Sequence, residues 1–314
     1  MNTLAHQQNL SEVYTRTKLI MYALVASVLA ILIAGFWNYH LVDGFGRDFI
    51  AGQTIGNTSE LAGGFAQYGS GFGFLFAAIA GLAATFTACN CVVFAMLPGL
   101  ACSTESSKKS ANPWWVLAAF VGGVTLISVL YGFYIGMIGP AGVEALSVRE
   151  VRLGRAQTVF TFIGVIMLAW GCSEMGFLDR IKNRLSEKQR AFLGSATTKG
   201  GLLGILVGLF AVGRPFPVFR DFLTYAAQVE SPLYGAGVMA IQGLGQILVM
   251  VLLFVLMVWL AGKKIMNWAS QNPHKPRLVS GLALVTGGVF FIFYWGLAFA
   301  FDIGQWGIKL GWYG

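Results

Sequence analysis

The chain has 314 residues, of which 56% are hydrophobic and only 11% charged, with a formal net charge of +8. Soluble domains carry roughly 25% charged residues, so this composition excludes an ordinary soluble enzyme and describes a polytopic protein embedded in a lipid bilayer. Its positive charge calls for no nucleic acid, and the 41 glycines suit helices that pack in lipid, where small residues let backbones approach without a hydrophobic driving force.

In chain order, residues 1–18 are polar and read as a cytoplasmic N-terminal segment. The apolar run 19–37 is longer than the 7–15 residues of a secretory signal core, and reads as an additional membrane anchor rather than a cleaved leader. Residues 38–70 form an outer loop rich in Gly, Thr, Asn and Ser. Three further apolar runs follow at 71–100, 114–138 and 157–178, then a basic cytoplasmic loop at 179–200. That loop is amphipathic enough for a short surface helix. Runs at 201–228, 233–262 and 278–301 complete the series before an outer tail at 302–314. Each of the seven is near or above the ~20 residues that span a hydrocarbon core.

Lysine and arginine set the orientation. With the N-terminus inside, the inner segments hold 14 of them and the outer segments 5, the latter being Arg47, Arg149, Arg152, Arg155 and Lys309. The positive-inside bias predicts a cytoplasmic N-terminus and an outer C-terminus in a cell's inner membrane. Apart from the first, the spans form two triplets, 71–178 and 201–301. Because three is odd, the second triplet enters the membrane upside down, the geometry of an inverted repeat. The first helix of each triplet is long and interrupted, near Pro98 and Gly99 in one half and through Gly213, Pro215 and Pro217 in the other. Irregular backbone at membrane depth is tolerated where protein or a water-filled cavity covers it, which makes paired breaks the expected functional centre.

Two chemistries lie at those breaks. "TACNCVVFAMLPG" places Cys89 and Cys91 ahead of Pro98, with Cys102 shortly after and Cys172 alone in "AWGCSEM". Free cysteines serve as small apolar filler, exchanging thiols or soft-metal ligands; the spacing leaves these open, and no metal centre is assigned. Arg214, Arg220 and Asp221 fall within a span, where ionisable groups mark a substrate site or a structural ion pair. For Arg220 and Asp221 the expected partners are on other helices, at Glu174 or Asp302. His6, His40 and His274 all lie in polar segments or at a membrane edge, so no haem ligand pair forms within the bilayer, and no cofactor is implied.

Six spans in two inverted triplets, a cysteine upstream of Pro98–Gly99 and a Gly-Pro break in the second half resemble the cytochrome c biogenesis family of membrane thiol–disulfide transporters, which includes CcdA and the membrane domain of DsbD. The resemblance implies an all-α fold with a six-helix core, and electron transfer from a cytoplasmic thioredoxin to thioredoxin-like partners outside. It implies Cys91, or alternatively Cys89, as the first reactive thiol. Where the family carries its second cysteine, this chain has Gly213-Arg214-Pro215-Phe216-Pro217, leaving Cys172 as the distant substitute. Two other functions remain open beside this one: a redox-inactive relative acting as a membrane subunit of a larger electron-transfer complex, and a transporter of a small anion or a soft metal.

Overall fold

The computed structural model describes residues 14–87, 112–179, 184, 186–272 and 274–313, with backbone alone at Tyr39 and 261–270. Cys89, Cys91, Cys102, Pro98 and Gly99 lie outside the described residues. The protein is an all-α polytopic membrane protein, with seven helices long and apolar enough to span among the described residues. Helix α1 is Arg16–Gly35, α2 Phe65–Ala84, α3 Pro113–Ser147, α4 Arg149–Glu174, α5 Ala196–Gly213, α6 Pro217–Ala227, α7 Pro232–Gln271 and α8 His274–Phe291, the last continued by a π-helical stretch Ile292–Ala298.

Two boundaries differ from the sequence expectation. The segment expected as an open loop at 38–70 folds into short helices at Tyr39–Gly44, Phe45–Ala51, Gly52–Ile55 and Thr58–Gly63. Asn38 and Asn57 start two of these by accepting hydrogen bonds from Leu41 N and Ser59 N, the usual N-cap role of a short polar side chain. The trio Arg149, Arg152 and Arg155 stands in the first turns of α4, not in a loop, because Val148 alone, extended at φ −52° and ψ 133°, separates α3 from α4.

The helices pack in crossed pairs. Helix α2 lies along α7, with Gly73 facing the Tyr234 hydroxyl and Gly81 the Gln242 carbonyl, so the two run parallel. Helix α5 lies along α3 in the same sense: a Cβ on Gly200 would fall 2.7 Å from Val116 O, and one on Gly123 2.6 Å from Gly201 O. The first helix of each triplet thus packs on the second helix of the other, the pairing that an inverted repeat produces. The remaining pairs are antiparallel and reciprocal. Gly132 and Gly235 meet between α3 and α7, and between α4 and α8 a Cβ on Gly164 would lie 2.9 Å from Gly288 O and one on Gly171 2.9 Å from Gly281 O. In lipid such close backbone approach replaces hydrophobic burial as the source of helix affinity.

Helix α1 lies outside this core, against α8. Leu19 and Ala26 pack with Met175 and Val285, while Leu24, Val28 and Leu32 stay exposed on its outer face. The C-terminal tail returns to its end: Tyr313 Oη donates to Phe36 O at 2.8 Å and the Trp312 ring stacks on Phe36.

Candidate functional site

The interruption after α5 follows from its prolines. A residue before proline is pushed out of the helical region, and in Arg214-Pro215-Phe216-Pro217 this happens twice. Arg214 (φ −68°, ψ 118°) and Phe216 (φ −60°, ψ 127°) are both extended, and Pro217 takes the first position of α6, where its missing N–H costs nothing.

This break turns the Arg214 side chain into the bundle, where it is 3% exposed. Its Nη1 donates to Gln246 Oε1 at 3.0 Å, and its guanidinium stands 6.0 Å from the centre of the Phe219 ring. Gln246 is the node of the core. Its Nε2 donates to Val207 O at 3.3 Å, and its backbone carbonyl accepts from Thr85 Oγ1 at 2.9 Å. Thr85 ends α2, so the terminal turns of both first helices are fastened to one residue of α7. Gly46 completes the junction by fitting between Ala83 O and the Phe216 ring. Half-buried Asp43 is drawn into the same field: desolvation raises its carboxyl from 3.8 to about 6, although Arg214, Arg47 and His40 pull the other way.

Arg220 and Asp221 pair with each other, at 3.1 Å and 2.9 Å from Nε and Nη2 to Oδ1. This corrects the expectation of partners at Glu174 or Asp302: the long arginine side chain folds back along the surface of its own helix. Buried Asp221 then accepts from Thr58 Oγ1 at 2.8 Å and Ser59 Oγ at 3.1 Å, clamping the Thr58–Gly63 helix onto α6. Arg214 and Arg220 also line a narrow cleft with Arg152, Arg155, Tyr131, Ile135, Val143, Leu146, Ser147, Phe219 and Leu223.

A second charged centre occupies the other end of α5. Glu174, 6% exposed, takes Lys199 Nζ at 2.7 Å, Arg277 Nε at 3.5 Å and the Trp170 Nε1–H at 3.1 Å. Asp302 instead pairs with Lys309. Cys172, a half-buried free thiol, precedes Glu174 by two residues on α4. It therefore stands at the Lys199 end of α5, whose 18 residues separate that end from Arg214 by about 27 Å at 1.5 Å per residue.

Sequence inspection singles out Arg214, Arg220 and Asp221, and the structure brings them to one end of the bundle. It does not single out Gln242, Gln246, Asp43, Thr58 or the cleft-lining role of Arg152 and Arg155. The two glutamines carried a signal, since polar residues four apart in the apolar run of α7 share one helix face. Thr58 and Asp43 carried none.

An all-helical core of two crossed triplets, with both first helices ending at a shared buried node, defines a polytopic membrane protein of inverted-repeat type. Residues 73–290 match the family model for the cytochrome C biogenesis protein transmembrane region, and the chain belongs to that family. No curated protein and no solved structure matches it.

Proposed function

We propose that this protein moves reducing equivalents across a cell's inner membrane by thiol–disulfide exchange, with Cys91 or Cys89 as the exchanging thiol, Cys172 as the distant candidate for the second, and the N-terminus on the cytoplasmic side. The observation that supports this most is the convergence of both first helices at Gln246. The chain reaches Cys89 four residues after Thr85, and Arg214 brings positive charge to Gln246; positive charge beside a thiol favours its thiolate. A reduced thioredoxin-like donor attacks a disulfide between that thiol and a second cysteine of the chain to give a mixed disulfide. The donor's second thiol then resolves it, leaving the donor oxidised and both cysteines as thiols, and two electrons and two protons pass on to an acceptor disulfide by the reverse steps.

A second reading is favoured by one observation: the α5–α6 break presents Arg214, Pro215 and Phe216 where a relay of this family presents its other cysteine, and Cys172 stands about a helix length away. On that reading the chain is a redox-inactive membrane subunit of a larger complex. Differential thiol labelling in intact membranes, before and after reduction, with mass spectrometry resolving Cys89, Cys91, Cys102 and Cys172, separates the two. The relay requires reversible mutual protection of two of the four, Cys91 or Cys89 among them, with substitution of one to serine freeing the other. Four thiols that remain reduced and inert in both conditions leave the subunit reading.

A further inference from the structure

We propose that the arginine-lined cleft between α3, α4 and α6 is a binding site for a phosphate-class oxyanion. The inference is independent of the thiol reading and rests on residues of the cleft wall alone.

Four arginines line it, Arg152 and Arg155 on α4, Arg214 at the break and Arg220 on α6. Arg220 is paired with Asp221, and Arg214 is held by Gln246. Arg152 and Arg155 are different. Among the described residues neither forms an ion pair with a carboxylate; Arg152 Nη1 reaches only Ser147 O at 3.2 Å, and Arg155 Nη1 only the Tyr131 hydroxyl at a long 3.5 Å. The Nε atoms of both are buried and lack a hydrogen-bond acceptor. Arg152 moreover lies in the field of Arg149, Arg155 and Arg220, so like charges crowd where repulsion would spread flexible side chains apart.

A buried donor without an acceptor is destabilising, more so when charged, and the chain accepts that cost twice within one cleft. The ligand that cancels it is an anion with several acceptor oxygens, matching the forked donors of arginine. Ile135, Val143, Leu146 and Leu223 form the rest of the wall, so the anion enters with an apolar neighbour, as a phosphate ester does. Two sources supply this chemistry: the headgroup of an anionic lipid, or a small free phosphate.

The test uses the full-length protein, purified in detergent or reconstituted in nanodiscs, with thermal unfolding as readout. One arm titrates inorganic phosphate and phenyl phosphate in detergent; the other compares phosphatidylglycerol with phosphatidylcholine nanodiscs. Saturable stabilisation in the first arm identifies a free phosphate, and stabilisation by phosphatidylglycerol alone identifies a lipid headgroup; either supports the site. The double variant R152Q/R155Q should weaken the effective ligand at least tenfold. R152K/R155K, which keeps charge but loses the fork, should weaken it less and guards against a neutral variant that does not fold. Arg149→Gln removes one exposed positive charge outside the cleft wall and should change nothing. Absence of stabilisation in both arms, or an equal loss for R149Q and R152K/R155K, overturns the proposal.

Discussion

At the Lys199 end of α5 a single carboxylate, Glu174, serves two cations that each keep about a quarter of their side chain at the surface. At the Arg214 end four arginines line one cleft, and the neighbouring carboxylate Asp221 is already held by Arg220, Thr58 and Ser59. In the first centre donors from α4, α5 and α8 close on one buried carboxylate. In the second, among the described residues, Arg152 and Arg155 of α4 have uncharged acceptors only. Cations gathered on a buried carboxylate are the pattern of a staple, and guanidiniums left without a carboxylate are the pattern of a site.

The contrast breaks most visibly at Glu174. Removing one partner of a buried pair strands the others, so Glu174→Gln should lower unfolding stability by about 3 kcal/mol, read as a drop in thermal midpoint in detergent, without altering oxyanion binding. A small drop would mean that Lys199 and Arg277 reach water unaided and that the staple is not one. Next comes Thr58→Val, which deprives buried Asp221 of its 2.8 Å donor. A hydrogen bond to a charged acceptor contributes roughly 1.5–3 kcal/mol, so a loss of about 2 kcal/mol is expected, together with faster proteolysis of the Thr58–Gly63 segment.

The smallest effect concerns Asp43, and its sign follows from its titration. Its folded value of about 6 lies above the ordinary 3.8, so the folded state holds this proton more tightly. Stability is therefore greatest below pH 3.8 and declines as the pH rises towards 6, where the half-buried carboxylate forms. After screening at this partly exposed group the decline should be about 1 kcal/mol. Asp43→Asn should remove that part of the slope and be the more stable protein at pH 7.5; thermal unfolding between pH 4.5 and 7.5 measures both.

The spans were legible because lipid imposes long apolar runs, and the break at Pro215 and Pro217 was legible because proline acts through its own backbone. The inverted orientation of the second triplet followed from the odd number of helices, whereas the crossed packing of α2 on α7 and α5 on α3 had no sequence signal. What stayed hidden was written in tertiary distance. Asp221 meets Thr58 across 163 positions of sequence, and nothing near either residue announces the other. The expectation that Arg220 would look to a distant helix failed because neighbouring side chains on a helix surface can still meet when one is as long as arginine. Arg152 and Arg155 were read as topology signals, a role that their charge fulfils whatever else they face, so the orientation rule masked their convergence on the cleft.

The crossing of the halves also constrains how the protein is made. Gly123 on α3 finds the backbone it is shaped for, at Gly201, only on α5, which leaves the ribosome some eighty residues later. Each helix must therefore be secure in the bilayer on its own apolarity before any partner exists, and the groove on α3 spends that interval filled with lipid. Orientation is settled helix by helix during insertion, and the interlock closes afterwards by displacing acyl chains, so an error in the second triplet would leave the first inserted but unsealed.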